Sequence, residues 1–230
     1  MQIDIVTLFP EMFAGYFGES IINRAVENRI LEIRLTQLRD FAFNKHNQVD
    51  DSPFGGGSGM VLKPEPVYRA VRKILAESDE NISRKIIITD PSGETFSQAK
   101  AKELANFEQL IFICGHYEGF DARIYDLADD LISIGDYVLT GGELPTMVIV
   151  DAVARMLPNV LGSAESAQTD SFFNGLLGFP QYTRPRDFEG KTVPEILLSG
   201  NHAEIAKWRK EKSLELTKIR RPDLIEKIKK

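Results

Sequence analysis

Leu110-Ile111-Phe112-Ile113-Cys114-Gly115 is an unbroken apolar run closed by a glycine. A run this short, with no polar residue and with β-branched side chains, reads as a strand buried on both faces. Such strands belong to parallel sheets covered by helices. The same pattern lies upstream at Ile86-Ile87-Ile88-Thr89, where the turn sequence Asp90-Pro91-Ser92-Gly93 closes it. Ile3 to Phe9, largely apolar, rich in β-branched residues and stopped by Pro10, reads as another buried strand, and Leu31 to Leu35 and Leu131 to Ile134 as further short ones. Helical spacings fall between these runs. Ile21, Ile22, Ala25 and Val26 share one face; so do Val67, Val71, Ile74 and Leu75, and later Ile149, Val153, Met156 and Leu157, up to Pro158. Ser97 can cap a helix running to about Phe107. Strands alternating with helices predict an α/β fold with a largely parallel sheet.

The wider composition agrees. Of 230 residues, 43% are hydrophobic and 27% charged, which excludes a disordered tail, a collagen-like fibre and a coiled-coil rod. Cys114 is the single cysteine, so neither an internal disulfide nor a cysteine-based zinc site is available. The start, Met1-Gln2-Ile3-Asp4, has no basic residue and an early acid, unlike a signal peptide. No apolar run approaches the ~18 residues of a membrane span. A soluble cytoplasmic protein with no membrane partner is expected.

Net charge is −6, but it is uneven. From Asn201 to Lys230, ten Lys or Arg stand against five acids, so that end carries +5 and the remainder −11. A basic end on an acidic body points to a local anionic contact. Between these regions, residues 163–175 are polar and lack periodicity, and read as a mobile linker. The expected organisation is an α/β domain over 1–162, this linker, and a small helical basic domain over 176–230.

Three loops follow strands: Thr89–Gly93, Gly115–Asp121 and Gly135–Glu143. In open parallel sheets, ligands bind beyond the carboxyl ends of the strands, and glycines there admit close approach to the backbone. Each loop alone is only a tight turn; together they can build one pocket. Gly55-Gly56-Gly57-Ser58-Gly59 does not make a P-loop, since Met60 follows it and Lys63 comes too late. His46, His116 and His202 have no ligand spacing. Asp170, in the polar tract before Ser171-Phe172-Phe173, is a candidate general base or a simple helix cap. Asp151 and Arg155 stand at i, i+4 on one helix, a spacing for an ion pair.

The order of longer motifs adds to this reading. Val49-Asp50-Asp51-Ser52-Pro53-Phe54-Gly55-Gly56-Gly57-Ser58-Gly59-Met60 resembles the glycine loop of bacterial tRNA (guanine-N1)-methyltransferases, the TrmD family. Cys114-Gly115-His116-Tyr117-Glu118-Gly119-Phe120-Asp121-Ala122-Arg123 is similar to a second family motif. Ser133-Ile134-Gly135-Asp136-Tyr137-Val138-Leu139-Thr140-Gly141-Gly142-Glu143-Leu144-Pro145 is similar to a third. The likeness continues through Asp170-Ser171-Phe172, Tyr182-Thr183-Arg184-Pro185, Val193 to Ala203 and Trp208-Arg209. His116 and Ser52 stand where many members carry Arg.

The resemblance implies a SPOUT methyltransferase domain with a parallel sheet and a C-terminal trefoil knot, plus a small helical C-terminal domain. The general rarity of knots would not have predicted this. It further implies a homodimer with the active site at the interface, S-adenosylmethionine as methyl donor, a link to Mg²⁺, and N1 of guanine 37, 3′ to the tRNA anticodon, as acceptor. Carried over position by position, the donor would lie among Thr89, Pro91, Gly115, Tyr117, Glu118, Gly119, Ser133, Ile134, Gly135, Tyr137, Leu139, Gly141 and Gly142. Asp170 would be the base and Arg155 the charge-stabilising cation. Asp51, Gly59, His116, Ser171, Arg184 and His202 would contact tRNA. The alternatives are a related SPOUT enzyme acting elsewhere on RNA and a non-catalytic RNA-binding protein.

Overall fold

The computed structural model describes residues 1–162 and 167–228. The chain forms two compact units, 1–162 and 163–230.

The first unit starts with β1 (Gln2–Thr7), α1 (Glu11–Phe17), α2 (Ser20–Glu27) and β2 (Glu32–Gln37). A minimal hairpin follows, β3 (Asp50–Asp51) with β4 (Val61–Leu62), and then α3 (Pro64–Glu77). The rest is β5 (Arg84–Thr95), α4 (Gln98–Leu104), β6 (Gln109–Cys114), β7 (Asp130–Ser133) and α5 (Glu143–Ala154). Five strands make one all-parallel sheet in the order β2-β1-β6-β5-β7.

Every residue of β6 is buried, as its unbroken apolar run requires. Leu110, Phe112 and Cys114 face one layer, with Ile3 and Ile5 of β1, Phe13 and Phe17 of α1, Leu104 of α4 and Val150 of α5. Ile111 and Ile113 face the other, with Val6, Ile88 and the α3 residues Val67, Val71 and Ile74. The period of two along the strand thus feeds two separate cores. Each such large side chain contributes about 1.5–3 kcal/mol when fully buried. The Ser97 hydroxyl oxygen accepts the Lys100 amide and caps α4.

Three sequence expectations need correction. The strand at Ile86–Thr89 does not end at the turn sequence: β5 runs on to Thr95. Its pairing with β7 slips, so that both Thr89 and Glu94 lie opposite Ile132, and Asp90–Gly93 form a bulge. The turn chemistry is present, since the Ser92 amide and hydroxyl both bond Asp90 Oδ1, at 2.8 and 2.6 Å. It re-aims a strand rather than stopping it. The single helix expected after Pro10, with Ile21 to Val26 on one face, is two helices: α1, which buries Phe13 and Phe17, and then α2. The helices after Ser97 and through Ile149 stop at Leu104 and Ala154, short of Phe107 and Pro158.

The second unit holds a short hairpin, β8 (Asp187–Phe188) with β9 (Lys191–Thr192), and two helices, α6 (His202–Arg220) and α7 (Pro222–Ile228). The Asn201 side chain accepts the Glu204 amide and caps α6. Of the expected linker, residues 163–166 lie outside the described residues. From Ala167 onward the chain turns tightly: the Asp170 amide bonds the Ala167 carbonyl, and Ser171 Oγ accepts the Gly178 amide at 2.9 Å. The Leu177 amide reaches Thr217 Oγ1 of α6 at 3.0 Å. Thr217 is the sole fully buried residue among those described in this unit.

Candidate active site

The bulge in β5 and the ends of β6 and β7 deliver the three glycine-bearing segments to one place. Together they enclose a cavity of about 220 Å³. All thirteen residues named as donor contacts line it: Thr89 and Pro91 from the bulge; Gly115, Tyr117, Glu118 and Gly119 after β6; and Ser133, Ile134, Gly135, Tyr137, Leu139, Gly141 and Gly142 after β7.

Backbone contact holds the loops together. The Gly142 amide donates to the Gly115 carbonyl at 2.8 Å, and His116 bridges to Gly141. The Thr89 hydroxyl donates to the Gly142 carbonyl at 3.2 Å. A β-carbon on Gly142 would stand 2.4 Å from Thr89 Oγ1 and 2.8 Å from Cys114 Cα, so a side chain has no room. Ser133 Oγ donates to the Gly135 carbonyl and accepts its amide, closing the turn out of β7.

The hairpin β3–β4 is fastened to the second loop. The Glu118 amide bonds the Met60 carbonyl, and the Leu62 amide bonds the Gly119 carbonyl, each at 3.0 Å. Gly59 has φ +85°, and a β-carbon there would meet the Glu118 side chain at 2.4 Å. Gly59 therefore stands against the cavity wall. Asp51 lies on the same hairpin, 3.7 Å from Lys63. His116 also lines the cavity, its ring edge-on to Phe9 at 4.9 Å and Tyr117 at 5.0 Å. Its Nδ1 is buried without a hydrogen-bond partner among the described residues.

Arg155 is not brought to this cavity within the first unit. It ends α5, whose first turn supplies Pro145 to the wall, so ten residues separate them, about 15 Å along a helix axis. Asp151 takes the hydroxyl of Tyr16 from α1, which pushes that phenol up to about 12, with burial adding to the rise. Asp170, Ser171, Arg184 and His202 lie in the second unit. Asp170 accepts the Phe173 amide at its carbonyl, Ser171 holds Gly178, and His202 opens α6 beside its capping Asn201.

Several cavity residues went unrecognised in the sequence. Burial raises the Asp90 carboxyl, but the Ser92 hydroxyl and amide and the Tyr125 hydroxyl outweigh it and hold the group below the usual carboxylate range. Burial and the same 2.7 Å bond push Tyr125 up to about 12. Only the turn signal of Asp90 was visible; its partner lies 35 residues on. Glu143, 1% exposed at the start of α5, accepts the Thr7 hydroxyl. Burial, with Glu143 adding its charge, pushes the Cys114 thiol far up, so it offers no nucleophile. Among the described residues no three His, Cys, Asp or Glu side chains group as metal ligands. No helix among them is long and apolar enough to cross a membrane. Apolar walls (Ile132, Ile134, Leu139), backbone polar groups and two carboxylates (Asp90, Glu118) suit a planar ring with a charged tail.

The sequence model of the tRNA (Guanine-1)-methyltransferase TrmD family matches residues 1–227. The chain belongs to that family. It is 57% identical over 228 residues to the tRNA (guanine-N(1)-)-methyltransferase of Staphylococcus aureus (strain Newman), covering 99% of this chain and 91% of that protein. It is 56% identical over 229 residues to the tRNA (guanine-N(1)-)-methyltransferase of Dehalococcoides mccartyi (strain CBDB1), covering 99% and 92%. The TrmD match takes in the cavity loops, the β3–β4 hairpin, Asp170 and α6 alike.

Proposed function

We propose that the chain transfers a methyl group from S-adenosylmethionine to N1 of guanine 37, the base 3′ to the tRNA anticodon. The observation that carries this is the convergence of three loops, with all thirteen expected residues, on one cavity in a TrmD family member.

The cavity suits the donor. The glycines at 141 and 142 leave backbone groups as the wall, where a β-carbon would fill the space. Ile132, Ile134 and Leu139 offer apolar surface to an adenine, and Glu118 a negative charge to a cation. When bound, S-adenosylmethionine supplies an electrophilic methyl group on a sulfonium. Asp170 accepts the proton leaving guanine N1. The Arg155 guanidinium stabilises the negative charge that builds on the base at O6, a large catalytic contribution where water is excluded. Magnesium finds no cluster of three ligating side chains among the described residues, and no step is assigned to it.

The distance of Arg155 from its own cavity supports a homodimer in which each chain completes the other's site. So does the exposed apolar face formed by Met12 and Tyr16 of α1 with Leu144 and Val148 of α5. The bond from Gly142 to Gly115 sets the chain after β7 against the end of β6, while β7 itself pairs with β5; this crossing supports a trefoil knot. Lys207, Arg209, Lys210, Lys218 and Arg220 on α6 would grip tRNA phosphates. The substrate sets the cytoplasm as the working compartment.

The test is transfer of labelled methyl to two unmodified transcripts differing only in guanine or adenine at position 37. Label enters the guanine transcript alone. Asp170→Asn loses about 10²–10⁴-fold in rate while still binding the donor. Label surviving in Asp170→Asn moves the base elsewhere. No label on either transcript, with donor bound, points to another RNA position or to binding without catalysis.

A further inference from the structure

The second unit has a cavity of its own, about 410 Å³, that the proposed reaction does not use. Tyr182, Trp208 and Phe179 give it three aromatic walls, and Arg184, Arg186 and Arg209 line it as well. The Tyr182 and Trp208 rings lie 6.4 Å apart, inclined at 54°. Arg186 is already held by Glu195 at 3.0 Å. Arg184 and Arg209 have no carboxylate partner among the described residues; Arg209 lies over the Phe179 ring, 4.8 Å from its centroid.

This combination selects its ligand. A free phosphate or an acidic peptide would answer the two guanidiniums and leave the rings idle. An apolar helix would cover the rings and strand two positive charges. One ligand class answers both: a planar base carrying a phosphate. Bases stack on exposed aromatic faces, and Arg pairs bidentately with phosphate. We infer that this cavity is a nucleotide site separate from the acceptor pocket. It takes one unstacked nucleotide of the bound tRNA, base against Trp208 and Tyr182, phosphate on Arg184 and Arg209. The inference rests on the tRNA reading above and deepens it. A duplex keeps its bases stacked, so this site reads loop rather than stem.

Trp208 is the chain's single tryptophan, so indole emission reports this cavity alone. Titrating the whole protein with an unmodified tRNA transcript quenches that emission as the complex forms. Inorganic polyphosphate, which has the charge without the bases, does not. Arg184→Gln and Arg209→Gln each weaken transcript binding by about tenfold, the scale of one charge-assisted contact. Tyr182→Leu weakens it by a similar factor. Each variant is checked for an unchanged melting temperature and donor affinity. Transcript retained on a filter with unchanged emission overturns the inference, as does equal quenching by polyphosphate. Emission that follows protein concentration alone, indifferent to transcript, assigns the cavity to a second copy of the chain and also overturns it. Quenching without methyl transfer keeps this site and sinks the proposed reaction instead.

Discussion

The Thr7 hydroxyl donates a 2.7 Å hydrogen bond to the Glu143 carboxylate, across 136 residues of chain and with both side chains buried. Thr7 Oγ1 in turn accepts the Phe9 amide at 2.9 Å. The pair ties the end of β1 to the first turn of α5, where a negative charge meets the positive end of the helix dipole. It also braces the third cavity loop, since a β-carbon on Gly141 would stand 2.4 Å from Glu143 Oε2.

Thr7→Val keeps the shape and removes the donor. A buried carboxylate losing one partner costs about 1–3 kcal/mol. Urea unfolding is expected to show that loss, and Thr7→Ser to recover most of it. A valine variant as stable as the parent would mean that the bond contributes nothing net.

Gly142→Ala forces a β-carbon into Thr89 Oγ1 and the Cys114–Gly115 backbone. Backbone cannot swing aside, so the second and third loops must separate. Donor affinity, measured by calorimetry, is expected to fall by more than about tenfold. Gly162→Ala, where nothing lies within 4 Å, serves as the neutral comparison.

Two of the six tyrosines should ionise late. Tyr16, bonded to Asp151, and Tyr125, buried and bonded to Asp90, are both held near 12. Absorbance at 295 nm follows the phenolates. Asp151→Asn is expected to return Tyr16 toward 10, and Asp90→Asn to lower Tyr125. For Tyr125, a raised value means stability present below pH 10 and lost as pH climbs through 12. Asp90 runs the other way: its depressed value gives stability above the ordinary carboxylate range that is lost in acid. Six tyrosines rising together near pH 10 would contradict both pairs.

Cys114 is 1% exposed, and its thiol is pushed far above the usual range by burial. Thiol reagents attack the thiolate. In native buffer at pH 8 the lone cysteine is expected to react only as fast as the structure opens, and more slowly with donor bound. Prompt labelling of the folded protein would show that the end of β6 is open to solvent.

The sheet was readable because short runs rich in apolar, β-branched residues (Leu110–Cys114, Ile86–Ile88 and, broken by Asp4 and Thr7, Ile3–Phe9) alternate with helical spacings. The convergence of the loops was readable from glycines placed directly after those runs. The bulge at Asp90 was not, because turn residues inside a strand look the same as turn residues after one. Nor was α1 as a helix separate from α2: Phe13 and Phe17 at i, i+4 are too few to mark one against Pro10 and three interspersed polar or small residues. The couplings of Thr7 with Glu143 and of Asp90 with Tyr125 join positions that no local spacing relates. The second-unit cavity was hidden for the same reason, since Tyr182 and Trp208 meet only after α6 has folded.

The strand order has a consequence for synthesis. β1 lies beside β2, 25 residues downstream, but its other neighbour is β6, which begins at Gln109. On the ribosome, β1 and β2 must wait for about 77 more residues, roughly 4–15 s at 5–20 residues per second, with one long edge unpaired. The outer edge at β2 carries Glu32 and Arg34 paired at 2.6 Å, charges that discourage stray strands. The inner edge of β1 offers Ile3 and Ile5 with the single charge of Asp4 between them. The nascent chain is therefore most exposed to misassociation before its central strand emerges, and slowing translation between residues 37 and 109 should raise aggregation more than slowing it after β7.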